Sequence, residues 1–362
     1  MVTISLCMIV KNEEDVIERC LASVRDVVDE INIVDTGSTD RTKEIVKMYT
    51  DRIWDFEWID DFARARNFSF QQATKEYILW LDADDLLTPE DRDKFKALKQ
   101  SLDSTIDAVS MNYYLGFDQD GNVTSHLRRY RLVKKENNFQ WIGAVHEYLA
   151  VSGNLFDSEV AITHSPLSHD SDRNLRIYRK MIESGSPLSP RDTFYYANEL
   201  MDHSQFEEAA HYYEKFLDSK LGWIEDNIGA CFKLADCYHK LENKEMELNA
   251  TLRSFIYDVP RPEACCRLGY SFMEQFKNLE AIYWYKQALA AGNKDYISLQ
   301  NPAFTTWLPH LQLCVLYDRL QQYDVAYEHN ESARKYRPND ERIIHNKQYF
   351  EGIFQKQNDE NL

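Results

Sequence analysis

The chain has 362 residues, of which 44% are hydrophobic and 28% charged, and its formal net charge is −18. This length is enough for roughly two globular domains, and the negative charge argues against wrapping nucleic acid or adsorbing to an anionic membrane. The apolar runs, such as Ile4–Val10, are too short to span a bilayer and the first residues lack a signal-peptide pattern, so we expect a cytoplasmic protein without membrane insertion.

Strand-like and helical patterns alternate in the first half of the chain. Such alternation with short connections predicts an α/β domain with a mostly parallel, Rossmann-like sheet, which we place at residues 1–182. The predicted strands are residues 3–10, 30–35 and 77–81, and the helices that follow them begin at Glu13, at Ser38 and after Thr88-Pro89.

The second half, which we place at residues 191–362, carries a helical repeat. Small residues recur at spacings of 38, 34 and 45, close to the 34-residue tetratricopeptide period. The pattern predicts an all-α domain of tetratricopeptide-like helix pairs, with a generic helical bundle as the alternative. Stacked pairs form an extended concave surface suited to a peptide or protein. The small residues are Ala197, Ala235, Gly269 and Cys314, followed twelve positions later by Ala209, Glu247, Ala281 and Ala326, of which Glu247 departs from the pattern.

Polar loops follow each of the three predicted strands. Ligands of an open parallel sheet bind beyond the carboxyl ends of its strands, so these loops are expected to meet in one crevice. The first loop begins at Val10 and contributes Asn12 and Glu13. The three loops are residues 10–14, 34–40 and 82–85.

The second loop has the sequence VDTGSTD. Gly37 permits a tight backbone turn, Ser38 can cap the next helix, and Asp35 lies at the strand tip. A carboxylate at that position can accept the N3–H of a uracil ring. Asp, Gly, Ser and Thr are also ordinary turn and cap residues, so a purely structural role is the alternative.

The third loop contains the DxD arrangement Asp82-Ala83-Asp84. On an extended segment the first and third side chains point the same way, so one can hold a ribose hydroxyl while the other ligates a divalent ion. Such an ion would bridge a diphosphate and neutralise its charge as it leaves. For Asp85 a solvent-facing position in the loop is an equal alternative.

Four segments in this order resemble the GT-A catalytic domain of family 2 glycosyltransferases: CMIVKNEE, VDTGSTDRT, FARARNFSF and ILWLDADD. The branch of this family with attached tetratricopeptide repeats includes bacterial enzymes that glycosylate peptides or proteins, among them S-glycosyltransferases of glycopeptide bacteriocins. The resemblance implies an inverting transfer from a nucleotide sugar, most often a UDP-sugar, assisted by Mg²⁺ or Mn²⁺.

The resemblance also implies roles for residues outside the three loops. Ala65-Arg66-Asn67 matches the family's ARN motif, which places Arg66 and Asn67 near an anionic donor. The segment 141–149 resembles the acceptor side, with His146 and Glu147 as acid–base candidates. Side by side on a strand, these two would face opposite ways, so only one is expected to reach the acceptor.

A late histidine often completes the metal site in this fold, and the resemblance favours His164 over His169. Asp84, His164 and diphosphate oxygens would then hold the ion, and the nitrogen ligand suits Mn²⁺ better than Mg²⁺. A structural role for His164 is the alternative.

The sequence therefore predicts a metal-assisted glycosyltransferase that moves a sugar from a UDP-sugar to a hydroxyl or thiol of a peptide or protein. Transfer to a cell-surface saccharide and an inactive repeat scaffold are the competing hypotheses. A second copy of the chain is left open as a partner. The expected donor contacts are Val10, Asn12, Glu13, Asp35, Gly37, Arg66, Asn67, Asp82 and Ala83.

Overall fold

The computed structural model describes residues 1–117, 123–167, 172–292 and 301–360, so His169 lies outside the described residues. The chain forms two compact units that divide between Ser186 and Pro187. In the parts described, no helix has an apolar stretch long enough to cross a membrane.

The N-terminal unit contains an eight-stranded sheet in the order β3-β2-β1-β4-β7-β6-β10-β5, with β8 and β9 paired separately. Six of the eight strands run in the same direction, which confirms the mostly parallel sheet, while β5 and β7 run against them. The strands are β1 Ile4–Val10, β2 Glu30–Asp35, β3 Ile53–Asp55, β4 Tyr77–Trp80, β5 Asp85–Leu86, β6 Ala108–Phe117, β7 Val123–Lys134, β8 Trp141–Ile142, β9 Tyr148–Leu149 and β10 Leu155–His164.

The central strands β1 and β4 are buried on both faces, which explains their continuous apolar sequences. The parallel register places Val10 opposite Asp35 and Cys7 opposite Trp80. The carboxyl ends of β1 and β2 are therefore level, and the loops that follow them leave the same edge of the sheet.

The described residues of this unit include five α-helices, and their starts test the capping predictions. Thr88 caps its helix by accepting from the Asp91 N–H, as the sequence predicts, with Pro89 in the first position. The predicted cap at Ser38 is wrong, because the Ser38 hydroxyl accepts from the Asn12 N–H instead. The helices are α1 Ile17–Val24, α2 Thr42–Val46, α3 Phe62–Gln71, α4 Pro89–Ser101 and α5 Arg173–Glu183.

The C-terminal unit is a series of antiparallel helix pairs. The turn within each of four pairs contains one residue in the left-handed region, and these residues recur at the same 38-, 34- and 45-residue spacings as the small residues. They are Ser204, Glu242, Phe276 and Gln321. The helices are α6 Pro190–Asp202, α7 Phe206–Ser219, α8 Ile224–Lys240, α9 Lys244–Arg253, α10 Pro262–Glu274, α11 Asn278–Ala291, α12 Trp307–Arg319, α13 Tyr323–Arg334 and α14 Glu341–Glu360.

The small residues of the repeat are needed where paired helices approach closely. Ala197 and Ala235 are fully buried. A Cβ added at Gly269 would lie 2.8 Å from the Tyr285 ring of the paired helix, closer than atoms normally pack. The regular turns and these contacts confirm the tetratricopeptide-like prediction over a generic bundle.

A histidine pair in this unit makes its stability depend on pH. The Nδ1 atoms of His310 and His329 lie 2.9 Å apart, and the His329 ring stacks on Tyr317. Burial, aided by His310 and Lys286, lowers the pKa of His329 from 6.5 to about 4. The unfolded chain therefore takes up a proton that the folded chain resists, and stability falls as the pH drops from 6.5 towards 4.

We expect a loss of about 1–2 kcal/mol across this window, allowing for solvent screening of a ring that is only partly buried. Thermal unfolding of the full chain at a series of pH values measures the loss. His329→Gln should flatten this dependence relative to the wild type. Equal slopes for the two proteins would show that His329 does not cause the loss.

Candidate active site

The loops after β1 and β2 are joined by hydrogen bonds from the Asn12-Glu13 segment. The Asn12 N–H donates to the Ser38 hydroxyl at 2.9 Å, and the Asn12 Oδ1 accepts from the Thr39 N–H at 2.8 Å. The Glu13 N–H donates to the Thr42 hydroxyl at 2.7 Å. The polar groups of Asn12 thus join the two loops.

Asp35 lies at the tip of β2 with one oxygen satisfied and one not. Its Oδ1 accepts from the N–H groups of Gly37 and Ser38, both at 2.9 Å, and Gly37 has a φ of 103° that glycine adopts readily. Its Oδ2 is buried and has no hydrogen-bond partner among the described residues. This oxygen is an acceptor in need of a donor, and a base can reach it only after covering side chains move.

The DxD segment forms a turn, so the expectation of an extended segment is wrong. The Asp85 N–H donates to the Asp82 carbonyl at 3.1 Å, and the Asp82 N–H donates to the Asp85 Oδ2 at 2.9 Å. Ala83 is buried in the core, which leaves only its backbone for a donor. Because of the turn, Asp82 and Asp84 meet different partners.

Asp82 is paired with Arg66. The Arg66 Nη2 lies 2.7 Å from the Asp82 Oδ1, and its Nε lies 2.6 Å from the Glu147 Oε1. Burial by itself would raise the pKa of Asp82, but Arg66 and then Arg131 outweigh it and hold that pKa well below its usual range. The Arg66 guanidinium is therefore engaged by two carboxylates.

Asn67 holds the segment that follows β7. Its side-chain amide accepts from the Trp141 N–H at 2.8 Å and donates to the Trp141 carbonyl at 3.0 Å. The amide is thus used to fix the backbone of β8 at Trp141. Any contact of Asn67 with a donor would have to use its remaining hydrogen-bonding capacity.

His146 and Glu147 lie in a turn between β8 and β9, so their expected placement on a strand is wrong. His146 has a φ of 49°, an uncommon conformation for this residue type that is often found at functional sites. The backbone of this turn is tied to the start of α3, because the Phe62 N–H donates to the Ala144 carbonyl at 2.8 Å. The turn and the Arg66 contact together orient the Glu147 carboxylate.

Asp84, Asp85 and His164 offer ligand atoms that all lie within 4.8 Å of one another. The His164 Nδ1 lies 3.5 Å from the Asp84 Oδ1 and 3.8 Å from the Asp85 Oδ1. The adjacent carboxylates of Asp84 and then Asp85 raise the pKa of His164 to about 9, against the effect of burial. Asp85 is fully buried, so the solvent-facing alternative for this residue is wrong.

Negative charge is in excess around this cluster. Burial, followed by the charges of Asp84 and Asp82, raises the pKa of Glu13 to about 7. In the ion-paired network next to it, four carboxylates face two buried guanidinium groups, so two negative charges are uncompensated once His164 is neutral, as a metal ligand must be. One divalent cation would balance them. The network consists of Asp82, Asp84, Asp85 and Glu147 with Arg66 and Arg131.

Arg131 was missed by the sequence reasoning. Its side chain is fully buried, and its Nη1 lies 2.9 Å from the Asp85 Oδ2. An arginine directly before the buried pair Leu132-Val133 in a strand was the available signal, because such a side chain needs a buried acid as its partner.

Comparison with known proteins identifies a family model and several relatives. Residues 5–160 match the family model described as glycosyl transferase family 2. A TPR repeat-containing protein of Synechococcus elongatus is 37% identical over 147 residues, or 41% of this chain and 35% of that protein. The SPbeta prophage-derived glycosyltransferase SunS of Bacillus subtilis is 29% identical over 231 residues, or 60% of this chain and 54% of that protein.

A third relative is the lipopolysaccharide core biosynthesis glycosyltransferase LpsC of Rhizobium meliloti. It is 26% identical over 159 residues, which cover 42% of this chain and 58% of that protein. The matches thus span between about a third and somewhat more than half of the length of these relatives.

Proposed function

Because residues 5–160 match the family 2 glycosyltransferase model, we propose that the chain is an inverting glycosyltransferase that moves a sugar from a UDP-sugar to a peptide or protein. One observation carries the proposal: an acidic turn, an imidazole and an oriented glutamate converge beyond the carboxyl ends of parallel strands. This is where an open parallel sheet binds its ligands.

The base of the donor binds at the tip of β2. The Asp35 Oδ2 accepts the N3–H of uracil, which supplies the partner that this buried oxygen lacks among the described side chains. Gly37 forms the tight turn beside Asp35, since its φ of 103° is strained for any residue with a side chain. Adenine offers no N–H at the corresponding ring position, so the site discriminates against it.

Asp35→Ala should raise the dissociation constant of UDP by about 1.5–3 kcal/mol, or roughly 10–150-fold, since a charge-assisted hydrogen bond is lost. Calorimetric titration of the full chain with UDP, ADP and GDP measures this. The wild type should prefer UDP, and Asp35→Ala should reduce that preference. Equal binding of all three nucleotides by the wild type would contradict the assignment.

Asp84 and His164 would hold a divalent cation, and Asp82 would contact the ribose. The ion would neutralise the charge that develops on the leaving diphosphate. The carboxylate and imidazole ligands suit Mn²⁺ better than Mg²⁺. The fit rests on the two uncompensated negative charges and on the buried Asp85 Oδ1, which has no hydrogen-bond partner within the described ranges.

Glu147 is the catalytic base. The acceptor hydroxyl or thiol attacks C1 of the sugar, a new bond from its oxygen or sulfur to C1 forms, and the bond from C1 to the diphosphate breaks. UDP leaves with the electron pair, and the proton of the acceptor passes to Glu147. Arg66 orients the carboxylate through its Nε, 2.6 Å from Oε1, so Oε2 is the oxygen that takes the proton.

The helical repeats recruit the peptide or protein that carries the acceptor. Stacked helix pairs present an extended surface of the kind that binds polypeptides. The name of the LpsC relative favours a second candidate, transfer to a saccharide of the cell surface. The two proposals differ in whether the repeats are needed for transfer.

A protein truncated after Ser186 should still bind UDP and hydrolyse the donor, while transfer to a full-length polypeptide acceptor should fall at least about tenfold if the repeats supply part of the acceptor affinity. Circular dichroism of the truncated protein verifies that the sheet is folded. Undiminished transfer by the folded, truncated protein would reject recruitment by the repeats.

A further inference from the structure

The Arg131 guanidinium contacts two aromatic rings and lies near two carboxylates. Its guanidinium carbon lies 3.8 Å from the centre of the Trp80 ring and 4.5 Å from that of Tyr113. Its Nη1 lies 2.9 Å from the Asp85 Oδ2 and 4.0 Å from the Asp82 Oδ2. Nε and Nη2 are buried without a hydrogen-bond partner among the described residues, so the aromatic rings provide their stabilising contacts.

Trp80 connects this arginine to the acceptor side. The guanidinium carbon of Arg66 lies 5.0 Å from the centre of the Trp80 ring and 4.8 Å from that of Trp141. The arginines and rings therefore form one packed series: Trp141, Arg66, Trp80, Arg131 and Tyr113. The Tyr113 hydroxyl ends the series 2.9 Å from the His164 Nδ1.

The two oxygens of Asp85 have different surroundings. Oδ2 accepts from Arg131 and from the Asp82 N–H. Oδ1 is buried and lacks a hydrogen-bond partner in the described part of the chain, although it lies 3.8 Å from the His164 Nδ1. A buried carboxylate oxygen without a donor is costly, and a cation shared with Asp84 and His164 would remove that cost.

We infer that Arg131 is a positioning residue of the metal site: it occupies the Oδ2 of Asp85, so that Oδ1 serves as a third ligand beside Asp84 and His164. This inference rests on the metal-assisted part of the proposed function. The planar guanidinium fits between two rings while it donates to the carboxylate, which the ammonium of a lysine cannot do equally well. Without Arg131, Asp82 and Asp85 would repel each other and Oδ1 would lose its orientation.

The test is to titrate the full chain with Mn²⁺ in the absence of nucleotide. Electron paramagnetic resonance measures the concentration of the free ion and so gives the affinity. Arg131→Met and Asp85→Asn should each weaken Mn²⁺ binding by about 10–100-fold, the usual effect of losing a partner of a metal ligand. Arg131→Lys should restore part of the affinity lost in Arg131→Met. Arg128→Met, on the same strand but bonded to Ser110, Asn112 and the Ser158 carbonyl, is the matched control and should bind as the wild type does.

The double variant separates positioning from a general structural effect. Because Arg131 acts through Asp85, Arg131→Lys combined with Asp85→Asn should bind Mn²⁺ no more weakly than Asp85→Asn alone. If Arg131→Met fails to fold, Arg131→Lys alone and combined with Asp85→Asn still tests the inference. UDP binding without metal should persist in the variants, because the Asp35 loop is untouched, and it reports that the domain is folded.

Unchanged Mn²⁺ affinity in Arg131→Lys and Asp85→Asn, or losses that simply add in the double variant, would overturn the inference. Absence of Mn²⁺ binding by the wild type would overturn it as well. Transfer from a UDP-sugar that persists in the presence of EDTA would reject the metal site while leaving the proposed transfer in place, so the two failures are distinguishable.

Discussion

Asp84→Asn is expected to reduce metal-dependent transfer by roughly 10²–10⁴-fold, because a bound cation contributes several kcal/mol to stabilising the leaving charge. Asp84 lies 3.5 Å from the His164 Nδ1, and the substitution removes a ligand charge while it keeps the shape of the side chain. Initial rates of UDP release at saturating Mn²⁺ measure the loss.

Two further measurements accompany this variant. Asp93→Asn, at an exposed position of α4, is the matched control and should keep the wild-type rate. UDP binding without metal should be retained, since Asp35 and its loop are untouched. A wild-type rate in Asp84→Asn would remove the cation from the mechanism.

Glu147→Gln is expected to lower the rate of transfer by roughly 10²–10⁴-fold with little change in UDP affinity, because a general base is lost. Glutamine keeps the volume of the side chain, and its oxygen can still accept from the Arg66 Nε, so the turn should stay in place. Single-turnover transfer from the bound donor isolates the chemical step. Glu159→Gln, at an exposed position of β10, is the control.

The rival base is His146, whose unusual backbone conformation places it in the same turn. Loss of transfer in His146→Ala together with normal transfer in Glu147→Gln would reverse the two roles. The size of the Glu147→Gln effect also depends on the acceptor. A thiol has an ordinary pKa of about 8.5 and ionises more readily than a hydroxyl, so it should show the smaller loss.

The end of the sheet at which the polar loops meet could be predicted from the sequence, because its signals are local. Each of β1, β2 and β4 is a short apolar run that ends in polar residues, and parallel strands bring such ends together. The start of α4 was predictable for the same reason, since Thr88 and Pro89 are adjacent to the helix that they begin.

The partners of the site residues could not be predicted, because they come from distant parts of the chain. Arg66 pairs with Glu147, which lies 81 positions away in the sequence. Asp85 is buried because β5 pairs with the end of β10, and nothing near Asp85 in the sequence indicates that strand. The turn at His146 depends in the same way on the contact of Ala144 with α3.

The most direct test of a metal-assisted UDP-sugar transferase is UDP release by the full chain from a panel of sugar nucleotides, with Mn²⁺ or with EDTA. The account predicts release from at least one UDP-sugar in Mn²⁺, little release in EDTA, and none from the matching ADP- or GDP-sugars. Release from ADP- or GDP-sugars but not from UDP-sugars, or no release from any of them by the folded protein, would contradict it.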